Sequence, residues 1–154
     1  MPTKKYMYIA LFLFCINTIT FANDTNTTSQ TLESKPALTT TYWKLIQLLD
    51  EDIYVEKMSR EAHIIFSPLE DGQGKFQGAS GCNAMLGKYK SSEHNLTIDN
   101  KHIAMTLMAC PEIKIETQFI HVLGLVRHWK ITNNNLLFLD SNSTTLTRFE
   151  AVKK

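Results

Sequence analysis

Thiols are the most reactive groups this chain offers, and two of them have distinctive neighbours: Cys82 in Gly81-Cys82-Asn83 and Cys110 in Met108-Ala109-Cys110-Pro111. A thiolate attacks carbonyls, binds soft metal ions or joins a second sulfur, and its surroundings decide which. Nucleophilic use needs an adjacent base. The five histidines, His63, His94, His102, His121 and His128, show no spacing that singles one out for a cysteine or a metal. No catalytic residue, no metal site and no cofactor is therefore expected. Asn83 could orient a ligand, but an asparagine in a glycine-rich turn more often serves because it tolerates a left-handed backbone. Gly78, Gly81 and Gly87 lie between strand-like segments, whereas a phosphate-binding glycine loop leads from a strand into a helix.

The start of the chain bears on what the thiols do. Lys4 and Lys5 precede an apolar run from Tyr6 to Cys15, and Thr20-Phe21-Ala22 supplies small residues at a cleavage point. That order is the one of a secretory signal peptide spanning 1–22. The run has about ten uninterrupted apolar residues where a bilayer needs about twenty, so no membrane anchor is expected after cleavage. Cys15 follows Phe14 inside the run, not a small residue at its end, which disfavours lipidation. After Ala22, roughly 130 residues remain, enough for one domain with one core, and they keep only Cys82 and Cys110. An even pair in an exported domain favours a disulfide over two reactive thiols.

Lys and Arg number 16 against 15 Asp and Glu, with the basic residues scattered along the sequence. Neither a nucleic-acid-binding run nor a polybasic membrane surface is expected. The anticipated state is a periplasmic or secreted monomer whose partner, an envelope protein or a lipid, the sequence does not name.

These residues must be positioned by short elements. Positions 23–41 are rich in Thr, Asn and Ser with few apolar residues, which predicts a flexible leader ahead of a domain at 42–152. Strands are expected at Tyr42 to Leu49, with Asp50-Glu51-Asp52 as a turn, at His63 to Phe66 with a stop at Ser67-Pro68, and at Lys75 to Ala79. Others follow at Met85 to Tyr89, Leu96 to Ile98 and Ile103 to Met108. Trp129 to Ile131 and Leu136 to Leu139 flank Asn133, Asn134 and Asn135 as a hairpin, and Leu146 to Val152 closes the chain. After Pro111, the apolar Ile115, Phe119, Val122, Leu123 and Val126 recur at helical spacing, with Glu112 and Glu116 early and Arg127 late. The expected fold is mainly β, a single small barrel-like or sandwich domain of roughly eight short strands, with one helix before the last three covering an open end or edge. Trp43, Trp129 and Phe138 are expected in the core or lining an apolar cavity.

Several of these residues together resemble a known family. Tyr42-Trp43, the pattern Phe76-x-Gly78-x-x-Gly81-Cys82-Asn83-x-x-x-Gly87-x-Tyr89, Thr106-x-Met108-Ala109-Cys110, the helix with Glu116 and Phe119, Trp129 and the strand Leu136 to Leu139 are similar to the META domain of HslJ-like proteins. The resemblance covers about Tyr42 to Val152. It implies a small β-rich domain with a helix, found in secreted or envelope proteins of bacteria, some heat-inducible or linked to motility or drug resistance. It also implies that Cys82 and Cys110 pair. It carries over no enzymatic reaction and no catalytic residue.

Three functional classes follow. The first is a non-enzymatic envelope domain that binds a partner or helps the cell surface withstand stress. The second is a pilotin-like carrier whose barrel opens around a lipid or other small hydrophobe, which requires an apolar cavity between helix and sheet. An enzyme comes third, for want of a desolvated carboxylate or histidine beside a nucleophile.

Overall fold

The computed structural model describes residues 36–110 and 113–153. The expected export signal and the leader up to residue 35 lie outside the described residues, as do Pro111 and Glu112. Strands follow in the order β1 (Tyr42–Leu48), β2 (Glu51–Asp52), β3 (His63–Pro68), β4 (Gln73–Ala79), β5 (Ala84–Ser92), β6 (Asn95–Ile98) and β7 (Ala104–Met105). The helix α1 (Ile113–Leu125) comes next, then β8 (His128–Thr132), β9 (Asn135–Leu139) and β10 (Thr145–Val152). The mainly β fold with one helix before the last three strands is as the sequence predicts.

Among the described residues every pairing between these strands is antiparallel, and the pairs run in a circuit: β1 to β3, β4, β5, β6, β8, β9, β10 and back to β1, with β2 on β1 and β7 on β5. The circuit is barrel-like rather than evenly closed. β4 and β5 pair over seven residues, whereas β6 meets β8 at the single register pair Asn95 and His128. Two further backbone bonds, Leu96 N to Arg127 O and Trp129 N to His94 O, both 2.9 Å, hold that junction. The helix packs against β6 and the turn Asn100–His102 beside it, covering the weak place in the ring.

Alternation decides what each strand buries. In β5, Met85, Gly87 and Tyr89 face inward while Leu86, Lys88 and Lys90 face outward. Aromatic rings then run through the interior in contact: Phe76 with Phe66, Phe66 with Phe138, Phe138 with Phe149 and Phe149 with Phe119 on the helix, at centroid separations of 4.9 to 6.2 Å. With Val122 and Leu123 they pack between helix and sheet, the region in which the carrier reading requires a cavity. Trp43 and Phe138 lie in this core, while Trp129 is half-buried against its flank.

Several boundaries differ from the sequence reading. The acidic Glu51 and Asp52 form β2 rather than a turn, because Leu49, with φ of 55°, and Asp50 make a tight reversal that returns them onto Leu48 and Gln47. β3 runs through Pro68, its last residue, which pairs with Gly74. Of the strand expected from Ile103 to Met108, only Ala104 and Met105 are strand; the Thr106 N–H still reaches the Ala84 carbonyl at 3.1 Å, and side chains take the bonds beyond it, as described below. Within 36–41, Leu38 is buried and accepts the Trp43 indole N–H at 3.0 Å, and Thr39 bridges to Phe66.

Across the β4–β5 ladder, Phe76 stands opposite Gly87 and Tyr89 opposite Gly74. Each ring occupies the room left by the missing side chain facing it. A Cβ on Gly87 would lie 2.5 Å from the Phe76 ring. We expect Gly87→Val to lower the urea midpoint by an overpacking cost of about 1–3 kcal/mol, and Phe76→Leu in the same chain to recover part of it.

Candidate functional site

The family-like residues between Ser80 and Cys110 converge on one carboxylate. Glu116 sits three residues before Phe119 and seven before Leu123, on the face of α1 that enters the core, and is itself buried. A buried carboxylate must find donors. It finds them in the turn between β4 and β5: Ser80 donates its hydroxyl to Oε2, the Asn83 backbone N–H donates to the same oxygen at 2.9 Å, and Asn83 Nδ2 donates to Oε1 at 2.9 Å.

Asn83 then passes the connection outward. Its Oδ1 accepts from the Thr106 hydroxyl at 2.8 Å and from the Met108 backbone N–H at 2.7 Å. Thr106 Oγ1 in turn accepts the Ala84 N–H at 3.1 Å, the place a strand carbonyl would take, and Met108 spends its N–H on the Asn83 amide. For that reason β7 stops at Met105. Sulfur completes the node: Cys82 is bonded to Cys110, with Cα atoms 6.0 Å apart, so the turn, the 106–110 segment and the approach to the helix are joined covalently as well.

The turn itself is specified by glycine at one position. Gly81 has φ of +102°, and a Cβ there would also meet Met58 Sδ at 3.0 Å. Asn83 is not among the described residues with left-handed backbone, so the expectation that it serves through backbone tolerance is corrected: it serves through its amide. At Gly78, a Cβ would run into the His63 carbonyl of β3, so close strand approach explains that glycine.

Phe76 and Tyr89 are core residues, apart from the node. Met108 and Ala109 remain exposed beside Leu107, which is 98% exposed although the segment is pinned on both sides of it. Tyr42, at the start of the family-like pattern, forms a separate contact, donating to Glu61 Oε1 at 2.7 Å and stacking on His63. Burial, with the Glu61 carboxylate, holds its phenol well above the usual range. The remaining histidines have local partners or none: His102 bonds Asp99, His128 bonds Asn95, and His94 lies against Trp129. Among the described residues, no three His, Cys, Asp or Glu side chains gather as a metal site would require.

The sequence marks Glu116 as an acid in the first helical turn, and its burial is an addition from the structure. Its spacing from Phe119 and Leu123 was the available signal. Ser80 carried none.

The sequence from residue 36 to residue 153 matches the META domain family. The chain belongs to the META domain family. Among solved structures, the META domain here is similar to a protein from Burkholderia xenovorans determined by NMR, with a TM-score of 0.56 and 19% identity over 76% of this chain and 85% of that one. It is also similar to a DUF4847 family protein from Bacteroides vulgatus ATCC 8482, with a TM-score of 0.50 and 15% identity over 76% of this chain and 96% of that one. At such identities the likeness is one of fold alone. No curated protein matches the chain.

Burial alone would push the Glu116 carboxyl up, but the hydrogen bonds from Ser80 and Asn83 outweigh it and hold the group below the ordinary glutamate value of 4.5. The unfolded chain therefore takes up the proton first on acidification, so this contribution to stability is complete above pH 4.5 and is lost as pH falls through the lowered folded value. Glu116→Gln, which turns an amide donor toward groups that already donate, should cost about 1–3 kcal/mol at pH 7, with the gap to the unaltered protein narrowing in acid; urea titrations across pH measure it. Reduction of the disulfide, or Cys82→Ser, should lower stability by about 3.5 kcal/mol in the chain-entropy model, read as a shift in the denaturation midpoint with and without reductant.

Proposed function

We propose that this chain is an exported, non-enzymatic domain of the cell envelope, a rigid β module that presents its outer surface to a partner. One observation supports the reading above the others. The polar groups of the family-like motif are directed at one another: Glu116, Ser80, Asn83 and Thr106 satisfy each other's hydrogen bonds, and the two sulfurs are joined. A catalytic carboxylate or thiol has to keep capacity for substrate, and a general acid needs a raised pKa, the opposite of the direction at Glu116. These residues act as architecture.

The disulfide fits an oxidising compartment, in keeping with the charged, apolar and small-residue order of positions 1–22. No helix among the described residues is long and apolar enough to cross a membrane. Stability outside the cytoplasm, where no reductant maintains thiols and no chaperone refolds the chain with ATP, is then the task the node and crosslink perform.

Expression of the full chain in a bacterial host, followed by osmotic shock and mass spectrometry under non-reducing conditions, checks this reading. The released protein should begin at Asn23 and carry the Cys82 to Cys110 linkage. Retention in the cytoplasm, or free thiols in the released fraction, would overturn it.

A further inference from the structure

The lysines that look scattered along the sequence are gathered by the β4–β5 register. Lys75 pairs directly with Lys88 across the ladder, and Lys90, two residues further along β5, projects from the same outer face. Lys75, Lys88 and Lys90, together with Gln73, Thr97 and Leu69, line an open groove of about 480 Å³.

Like charges facing each other in a ladder repel, so the fold gains nothing from this arrangement. Elsewhere the sheet avoids it: on β1, Lys44 stands across from Glu150 and also meets Glu61 at 3.5 Å. Lys75, Lys88 and Lys90 are all exposed and enter none of the ion pairs among the described residues. Asp99 is the one carboxylate lining the groove among the described residues, and His102 holds it at 2.8 Å.

The chemistry that answers three neighbouring point charges is an array of singly charged phosphodiesters, for which lysine is a suitable partner and to which Gln73 and Thr97 can add neutral donors. Two exposed leucines favour a ligand with an apolar portion over a bare ion. Leu69 borders the groove at 56% exposure, and Leu86 continues the outward stripe of β5 beyond Lys88 at 51%. We propose that this groove binds the phosphate headgroup of an anionic membrane lipid. The assignment names a partner for the envelope domain proposed above and rests on that reading for access to a membrane.

Flotation of the purified protein with vesicles tests it. Binding is expected to phosphatidylcholine vesicles containing about one-third phosphatidylglycerol, to be absent with phosphatidylcholine alone, and to weaken as salt is raised. Replacing Lys75, Lys88 and Lys90 together by Gln should reduce binding on the order of a hundredfold, at about fivefold for each lysine at an anionic surface. A control with the same charge removed elsewhere, Lys57→Gln, Lys101→Gln and Lys130→Gln, should lose far less, and the melting temperatures of both variants confirm that they fold. Equal losses in the two triple variants, equal binding to both vesicle types, or capture of inorganic phosphate or poly-glutamate with no vesicle binding would each overturn the assignment. Because the assay uses purified protein, its failure leaves the test of export standing.

Discussion

A carboxylate in an apolar interior is tolerated only where donors are held ready for it, and Glu116 makes this the organising constraint of the molecule. Its donors come from a turn that has no regular structure of its own, and that turn is held in shape by the same bonds. Asn83 extends the constraint to Thr106 and Met108, so a segment without strand or helix is nonetheless fixed. Each member of the node is satisfied only when the others are in place. The disulfide stabilises a related but separate aspect, since it limits the unfolded chain whereas the hydrogen bonds define the folded one.

Much of the fold is legible in the sequence because strands and the helix follow simple periods. The apolar spacing of Ile115, Phe119, Val122 and Leu123 marks α1, and the alternation around Tyr89 marks β5. The misreading of the stretch after Ile103 originates in side chains that replace backbone. The stretch after Ile103 has the composition of a strand, yet the Thr106 hydroxyl and the Asn83 amide take over the bonds a ladder would make. Glu116 was legible as an early helical acid, but which acid on an amphipathic helix turns inward depends on the turn that meets it. The proximity of Lys75 to Lys88 is likewise a matter of register between two strands, and composition carries no trace of it.

The division of labour between inside and outside bears on how this family member works. Most of its recognisable residues face inward or bind one another, as with Phe76 under Gly87 and Asn83 on Glu116, while the side chains of Met108 and Ala109 are exposed. The outward positions, among them the lysines of β4 and β5 and the fully displayed Leu107 on its anchored segment, belong to no motif.

The unequal spacing of bonds around the sheet gives the molecule a clasp. Seven rungs join β4 to β5, while a single register pair and two flanking bonds join β6 to β8. A hoop fastened so unevenly parts at its fastening, and α1 is the latch laid across it. Excursions from the native state that fall short of full unfolding should therefore swing the last three strands away from β6 as a unit, leaving the crosslinked half of the hoop intact.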